Sequence, residues 1–187
     1  MTDRRGPRLV RGAEKYLRAR GFNQCLYLCD LVIEEEPHFA RAHYVRGRCL
    51  WTIGRCDEAL APLEQAVTLE PGCAEFLAAL GEALDDCGRL PEAHARLTRA
   101  LELEPSRDDA LLTRASVNQR LCNFPAALAD LDDYLSRKPR SADALVLRGC
   151  CHLAAGRREL ARQDYDRALE LEPGQRERVE CLTVGLL

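Results

Sequence analysis

The sequence predicts an all-α protein built from a tandem repeat of helix pairs. Leu, Ala, Arg and Glu dominate the composition, as is usual for helices. The string RALELEP occurs twice, starting at Arg99 and at Arg167, which lie two periods apart. With proline at about 5% of residues, four further prolines in one register arise by chance about once in 10⁵ trials. The period is 34 residues and is marked by Pro37, Pro71, Pro105, Pro139 and Pro173.

Three other positions of this period carry mostly small residues. Position 1 is taken 31 residues before each proline, which gives five repeats: 6–39, 40–73, 74–107, 108–141 and 142–175. Small side chains let two helices approach closely, because larger ones would push them apart. Position 8 holds Ala13, Gly47, Gly81, Ala115 and Gly149; position 20 holds Cys25, Ala59, Ala93, Ala127 and Ala161; position 27 holds Val32, Ala66, Ala100, Tyr134 and Ala168.

The third repeat shows how each helix is delimited. Apolar residues at helical spacing, such as Leu77 and Leu84, give its first helix one buried face. Gly88 follows, where a left-handed residue ends a helix most easily. Pro91 then occupies the first turn of the second helix, and Pro105 stops that helix. Residues 1–5 form a basic extension, and residues 176–187 are expected to begin a further, short C-terminal helix.

Pro62 breaks the pattern, because it falls inside the second helix of repeat two. A proline removes the hydrogen bond to the Glu58 carbonyl and costs about 3 kcal/mol in a helix interior. We therefore expect a kink or a late helix start in this repeat.

With its period and its small-residue positions, the sequence resembles the tetratricopeptide repeat family over Gly6 to Gln175. The resemblance implies an α-solenoid of five helix-turn-helix units wound into a right-handed superhelix, with the first helices lining a concave groove. It further implies a non-catalytic adaptor or scaffold that binds a peptide or helical segment of a partner protein. Two alternatives remain: a self-assembling module that associates through its C-terminal end, or a fragment of a longer repeat protein; an enzyme is a remote third.

In the family that this sequence resembles, positions 2, 5, 9, 12 and 13 of each repeat line the concave groove, and these positions select the candidate binding residues. Trp51, the only tryptophan, stands three residues from Arg48, and this pair is typical of an interface hot spot. Acidic residues of the next repeat should flank the pair, so a partner of mixed charge is expected. The candidate residues are Arg41, Tyr44, Arg48, Trp51, Glu82, Asp85, Asp86, Ser116, Gln119 and Arg120.

One known ligand class of the family is not expected. The clamp that holds chaperone C-termini uses lysine, asparagine and arginine at fixed positions of three repeats. No register of this sequence carries that set. Starting at repeat two, for example, the corresponding residues are Tyr44, Arg48, Ala79, Asp109 and Thr113.

Recurring charges also predict a structural ion pair. Arg46, Arg114 and Arg148 all occupy position 7, where the family usually has an apolar residue, and Asp130 and Asp164 both occupy position 23. An Arg–Asp pair between the two helices of a repeat explains the recurrence.

Composition excludes several classes of function. A net charge of −3 argues against a nucleic-acid partner, and no apolar run is long enough for a membrane span. No catalytic motif or metal-ligand spacing is present, so no cofactor or metal is expected, and Cys25 and Cys29 fit core packing. Ten cysteines without an export signal indicate free thiols in a reducing compartment, the cytoplasm or the nucleus.

Overall fold

Ten α-helices follow one another in the computed structural model, which describes residues 5–175 and Val179. No strand occurs among these residues, and the all-α prediction is confirmed. Each helix pair falls within one predicted repeat, apart from the first residue of α1. The helices are α1 (Arg5–Arg18), α2 (Phe22–Glu35), α3 (Ala40–Thr52), α4 (Cys56–Leu69), α5 (Ala74–Asp86), α6 (Leu90–Leu103), α7 (Asp108–Arg120), α8 (Phe124–Arg137), α9 (Ala142–Ala154) and α10 (Arg158–Leu171), followed by a 3₁₀ turn at Pro173–Gln175.

The chain divides between Pro105 and Ser106 into two compact units. The N-terminal unit contains α1 to α6, and the C-terminal unit contains α7 to α10. Within each unit, the first helix of a repeat packs on the second helix of the same repeat. The second helix also contacts the following first helix, as in α2–α3, α4–α5 and α8–α9.

The glycines at position 8 mark the closest approach of the paired helices. A Cβ added at Gly81 would lie 2.6 Å from Leu97 Cγ and 3.4 Å from the Ala93 carbonyl oxygen. A Cβ at Gly47 would lie 2.6 Å from Leu63 Cγ. Because real Cβ atoms do not come this close to other atoms, the small residues at positions 8 and 20 are packing residues.

The turn inside every repeat uses a left-handed backbone at position 15. Gly88 has a φ of 74°, as the sequence predicts for the residue that ends the helix. Arg20 and Cys122 occupy the same position in repeats one and four with φ of 58° and 59°, although both carry a side chain. These two residues are therefore strained where the other repeats have glycine.

Helix α4 runs from Cys56 to Leu69 with Pro62 inside it. The expectation of a late helix start is therefore wrong, since α4 is 14 residues long, as are α6, α8 and α10. Burial of Leu60, Leu63 and Ala66 on its apolar face stabilises the helix on both sides of the proline.

Both ends of the described region bear on predictions. Arg5, expected in the extension, is the first residue of α1 and pairs with Glu35 at 2.7 Å. Val179 is buried, whereas Leu182 and Leu186 of the expected C-terminal helix lie outside the described residues. None of the described helices combines the length and the apolar character needed to cross a membrane.

Candidate functional site

The candidate residues of the N-terminal unit meet on helix α3. Tyr44, Arg48 and Trp51 are separated by four and three residues, so they share one face of the helix. Helix α3 contacts both α1 and α5, the other first helices of this unit. We call Arg41, Tyr44, Arg48 and Trp51 the arginine–aromatic cluster.

Tyr44 forms the floor of the cluster. Its side chain was expected on the open surface, but it is only 5% exposed because the ring stacks on Phe76 of α5, with centroids 4.8 Å apart. The hydroxyl donates to Glu75 Oε1 at 2.8 Å. Burial raises the pKa of this hydroxyl to about 12, so it remains a neutral donor at physiological pH.

Arg41 ties three helices together. Its Nε donates to Glu14 Oε1 of α1 at 2.8 Å, and Nη1 donates to Glu75 of α5. The guanidinium lies 4.8 Å from the centroid of the Tyr44 ring. Both carboxylates compensate the charge of Arg41, which makes this residue mainly a link between first helices.

Arg48 and Trp51 lie at the open side of the cluster. Arg48 Nη1 donates to the Tyr44 hydroxyl at 3.1 Å, and its Cζ lies 5.5 Å from the Trp51 ring. The half-buried indole donates from Nε1 to Asp86 Oδ2 at 2.6 Å. Within the described residues Arg48 has no carboxylate partner, and its buried Nε donates no hydrogen bond.

The other candidate residues occupy two different places. Glu82 and Asp85 are half-buried on α5 and belong to the N-terminal unit, as does the exposed Asp86. Helix α7 of the C-terminal unit carries the rest, the half-buried Ser116 and Gln119 and the exposed Arg120.

Three members of the site were not among the candidates: Glu14, Glu75 and Phe76. The register offered a signal for two of them, since Glu14 and Glu75 stand at groove positions 9 and 2 of their repeats. Phe76 stands at position 3, where repeats two, four and five have alanine. Its size was visible in the sequence, but its stacking on Tyr44 depends on a contact between repeats.

The predicted ion pairs inside the repeats are confirmed in the C-terminal unit. Arg114 donates to both carboxylate oxygens of Asp130 at 2.9 and 2.6 Å, and Arg148 does the same to Asp164. In repeat two Pro62 occupies the aspartate position, and Arg46 instead pairs with Asp30 at 2.8 Å. These pairs join helices to one another.

The buried cysteines are poor nucleophiles. A hydrogen bond with Cys29 and burial raise the pKa of Cys25, and burial raises the pKa of Cys49 to about 12. Burial likewise raises the pKa of Cys151 to about 11. All nine cysteines of the described part of the chain are free, and no three His, Cys, Asp or Glu residues there are grouped as a metal site.

Family models identify the repeat. A model described as tetratricopeptide repeat matches residues 30–73 and 112–176, more than half of the chain, and a second model of that description matches residues 54–117. The chain belongs to the tetratricopeptide repeat family. A comparison with curated proteins found no match.

Solved structures of tetratricopeptide repeat proteins share the fold. A crystal structure of MamA protein superposes with a TM-score of 0.80 at 21% identity, covering 93% of this chain and 95% of that one. YrrB, a tetratricopeptide repeat (TPR) protein with an unusual peptide-binding site, gives a TM-score of 0.78 at 21% identity, covering 88% of this chain and 85% of that one. A MamA RS-1 double mutant gives 0.83 at 14% identity, covering 94% and 98%. At these identities the likeness concerns the fold.

Proposed function

We propose that this tetratricopeptide repeat protein is a non-catalytic adaptor that binds an extended or helical segment of a partner protein at the arginine–aromatic cluster. The observation that carries the proposal is the environment of the Arg48 side chain. Its guanidinium lies beside the rings of Tyr44 and Trp51, has no carboxylate partner among the described residues and keeps a buried Nε without an acceptor. A hydrogen bond from the charged guanidinium of this half-buried residue to an acceptor of a partner contributes about 1.5–3 kcal/mol.

The neighbouring Arg41 shows why Arg48 is the contact residue. Glu14 and Glu75 already compensate Arg41, so a partner gains little from pairing with it. Arg48 forms no ion pair within the described part of the chain and lies next to the face of an indole. The expected anchor is therefore a carboxylate or carbonyl oxygen beside an aliphatic or aromatic side chain.

The Trp51 side chain is preorganised for binding. Its bond to Asp86 fixes the indole, so less side-chain entropy is lost when a partner packs on it. Tyr44 takes a supporting role, since it is buried and holds Arg48 in place through its hydroxyl. Glu82, Asp85, Ser116, Gln119 and Arg120 remain candidates for secondary contacts.

Two other features support the same reading. YrrB, which has a similar fold, is described as having a peptide-binding site. The high pKa values of buried thiols suit packing rather than catalysis, and nine free cysteines suit the reducing cytoplasm. Binding to the C-terminal carboxylate of cytosolic chaperones is not part of the proposal.

Quantitative affinity purification with three bait proteins tests the proposal. The parent chain, Arg48→Glu and the control Arg96→Glu are immobilised, and captured proteins are quantified by mass spectrometry. Arg96 is exposed on α6 and lies outside the cluster. Specific partners should be retained by the parent and by Arg96→Glu and lost from Arg48→Glu. Partners that all three baits retain equally would contradict the proposal. Light scattering on the chain without a partner distinguishes the adaptor from the self-assembling module. A concentration-dependent dimer would favour self-assembly.

A further inference from the structure

Helix α1 carries charge of almost one sign. Residues 5–20 include six basic residues and one acidic residue, Glu14, a net charge of +5. The rest of the N-terminal unit, residues 21–105, has seven basic and fifteen acidic residues, a net charge of −8. All six cations are exposed. Apart from Arg5, the four that lie on α1 are spaced by three or four residues, so they form one stripe. We call Arg8, Arg11, Lys15 and Arg18 the basic face of α1.

The basic face is not neutralised by neighbouring carboxylates. Arg11 and Arg18 donate only to backbone carbonyls of their own helix, those of Pro7 and Glu14. Among the described residues, no member of the basic face has an ion pair, in contrast to Arg5, which pairs with Glu35.

The repeat register shows what this face of a first helix normally contacts. Arg8 and Lys15 stand at positions 3 and 10, and both are exposed. In the later repeats these positions are buried, and α3, α5 and α9 each contact the second helix of the preceding repeat. The buried equivalents are Ala42 and Cys49, Phe76 and Ala83, Ala110 and Val117, and Ala144 and Cys151. A helix is thus what the fold places on this face.

We propose that the basic face of α1 docks an acidic helix of a partner protein. Solubility requires only that the exposed face of this repeat is polar, and mixed charges would meet that requirement. A single sign of charge, on a face shaped for a helix, favours a helix with Asp or Glu at i, i+3 or i+4, and i+7.

Charge distribution favours an acidic helix over a nucleic acid or an anionic membrane. At 1.5 Å per residue, α1 is only about 20 Å long. A polyanion or a membrane plane that extends beyond this length meets the remainder of the unit, which is net acidic and repels it. A short acidic segment avoids that repulsion. This inference uses residues other than Arg48 and Trp51, so it is independent of the proposed function.

The test measures binding of a synthetic alanine-rich helical peptide with glutamates at these spacings, beside a matched peptide with glutamines. The protein is the full chain, as the parent and as the double variants Arg8→Glu/Lys15→Glu and Arg11→Glu/Arg18→Glu. The control is Arg140→Glu/Arg158→Glu, which makes the same charge change at exposed arginines of the C-terminal unit. Circular dichroism checks that all variants keep their helices, as expected for exposed positions.

We expect the parent to bind the glutamate peptide at least about tenfold more tightly than the glutamine peptide. Both α1 variants should weaken that binding by at least about tenfold, whereas the control should change it by no more than about threefold, and added salt should weaken it. The proposal is overturned if the control loses as much affinity as the α1 variants or if the glutamate peptide does not bind. Tighter binding of an RNA oligonucleotide or of phosphatidylserine vesicles at equal charge would also overturn it.

Discussion

Arginine side chains make different kinds of contact in the two compact units. In the N-terminal unit, Arg41 and Arg48 lie against aromatic rings, and Arg41, whose side chain is 37% exposed, joins first helices to one another. In the C-terminal unit, Arg148 reaches across its own helix pair to Asp164, whose side chain is only 8% exposed. The burial of the carboxylate distinguishes the two: a buried carboxylate needs its arginine for the fold, whereas an exposed one can exchange it for water.

Arg46 shows what happens when the buried carboxylate is absent. It occupies the same repeat position as Arg148, but Pro62 replaces the aspartate, and its partner Asp30 is 51% exposed. The cleft beside Arg46 has a volume of about 600 Å³, and the equivalent cleft beside Arg148 about 290 Å³. The missing aspartate therefore coincides with a larger cleft and with an ion pair to an exposed carboxylate instead of a buried one.

The largest expected effect separates these two arginines. Arg148→Ala leaves the Asp164 carboxylate buried without its bidentate partner, which should cost about 3 kcal/mol or more of unfolding free energy. Arg46→Ala removes only a surface pair and should cost less than about 1 kcal/mol. Urea unfolding of both variants measures the difference. Equal losses would show that carboxylate burial does not decide the role of the arginine.

The comparison of the two units assumes that the paired helices pack in the same way in both, through small residues at positions 8 and 20. Ala93→Leu in the N-terminal unit and Ala161→Leu in the C-terminal unit should each overpack the helix pair beside Gly81 or Gly149, at about 1–3 kcal/mol. Ala95→Leu, at an exposed position of α6, is the control and should leave the unfolding midpoint nearly unchanged. If Ala93→Leu is as stable as the parent, the repeat register is wrong.

The strained turns offer a gain in stability in each unit. Cys122→Gly and Arg20→Gly replace a residue with φ near +60° by the residue that the other repeats use there. Each change should stabilise its unit by up to about 1 kcal/mol, because glycine adopts this backbone without a Cβ clash. Thermal unfolding measures the gain, and a drop in melting temperature for both variants would contradict the assignment of strain.

A pH effect close to neutrality is expected near the buried pair of repeat five. Burial lowers the pKa of His152, which lies 4.0 Å from Asp164 and is also influenced by Arg148, Arg157 and Asp132. The folded state therefore binds a proton less readily than the unfolded state, and stability should fall as the pH drops below the ordinary histidine value of about 6.5. His152→Asn, which copies the residue of repeat four, should reduce the slope of stability between about pH 7.5 and 5.5. An unchanged slope would rule out His152 as its source.

Most of the fold was predictable because proline, glycine and small residues act locally. The proline period placed each helix pair, and the recurrence of Arg and Asp at positions 7 and 23 predicted the pairs at Asp130 and Asp164. The late helix start expected from Pro62 was wrong, since packing of the surrounding apolar residues keeps α4 continuous.

The candidate site was predictable in position and less so in detail. The helical spacing placed Arg48 beside Trp51, and the two are 5.5 Å apart. The burial of Tyr44 did not follow from its own repeat, because it depends on Phe76 in the next one. Likewise, Arg41 links helices whereas Arg48 has no ion pair among the described residues, because contacts between repeats decide which carboxylates reach each guanidinium.

The most direct test of the account measures partner binding and unfolding together for Arg48→Glu, Trp51→Ala and Arg148→Glu, with a partner captured by the parent chain. The account predicts that Arg48→Glu and Trp51→Ala each weaken binding by about 2 kcal/mol or more. Both side chains are half-buried and hydrogen-bonded, so each change also lowers the unfolding free energy, but by less than Arg148→Glu, which leaves the buried Asp164 carboxylate without its partner. If capture survives both changes in the cluster, the groove assignment is wrong; if Trp51→Ala unfolds the protein, the tryptophan belongs to the core.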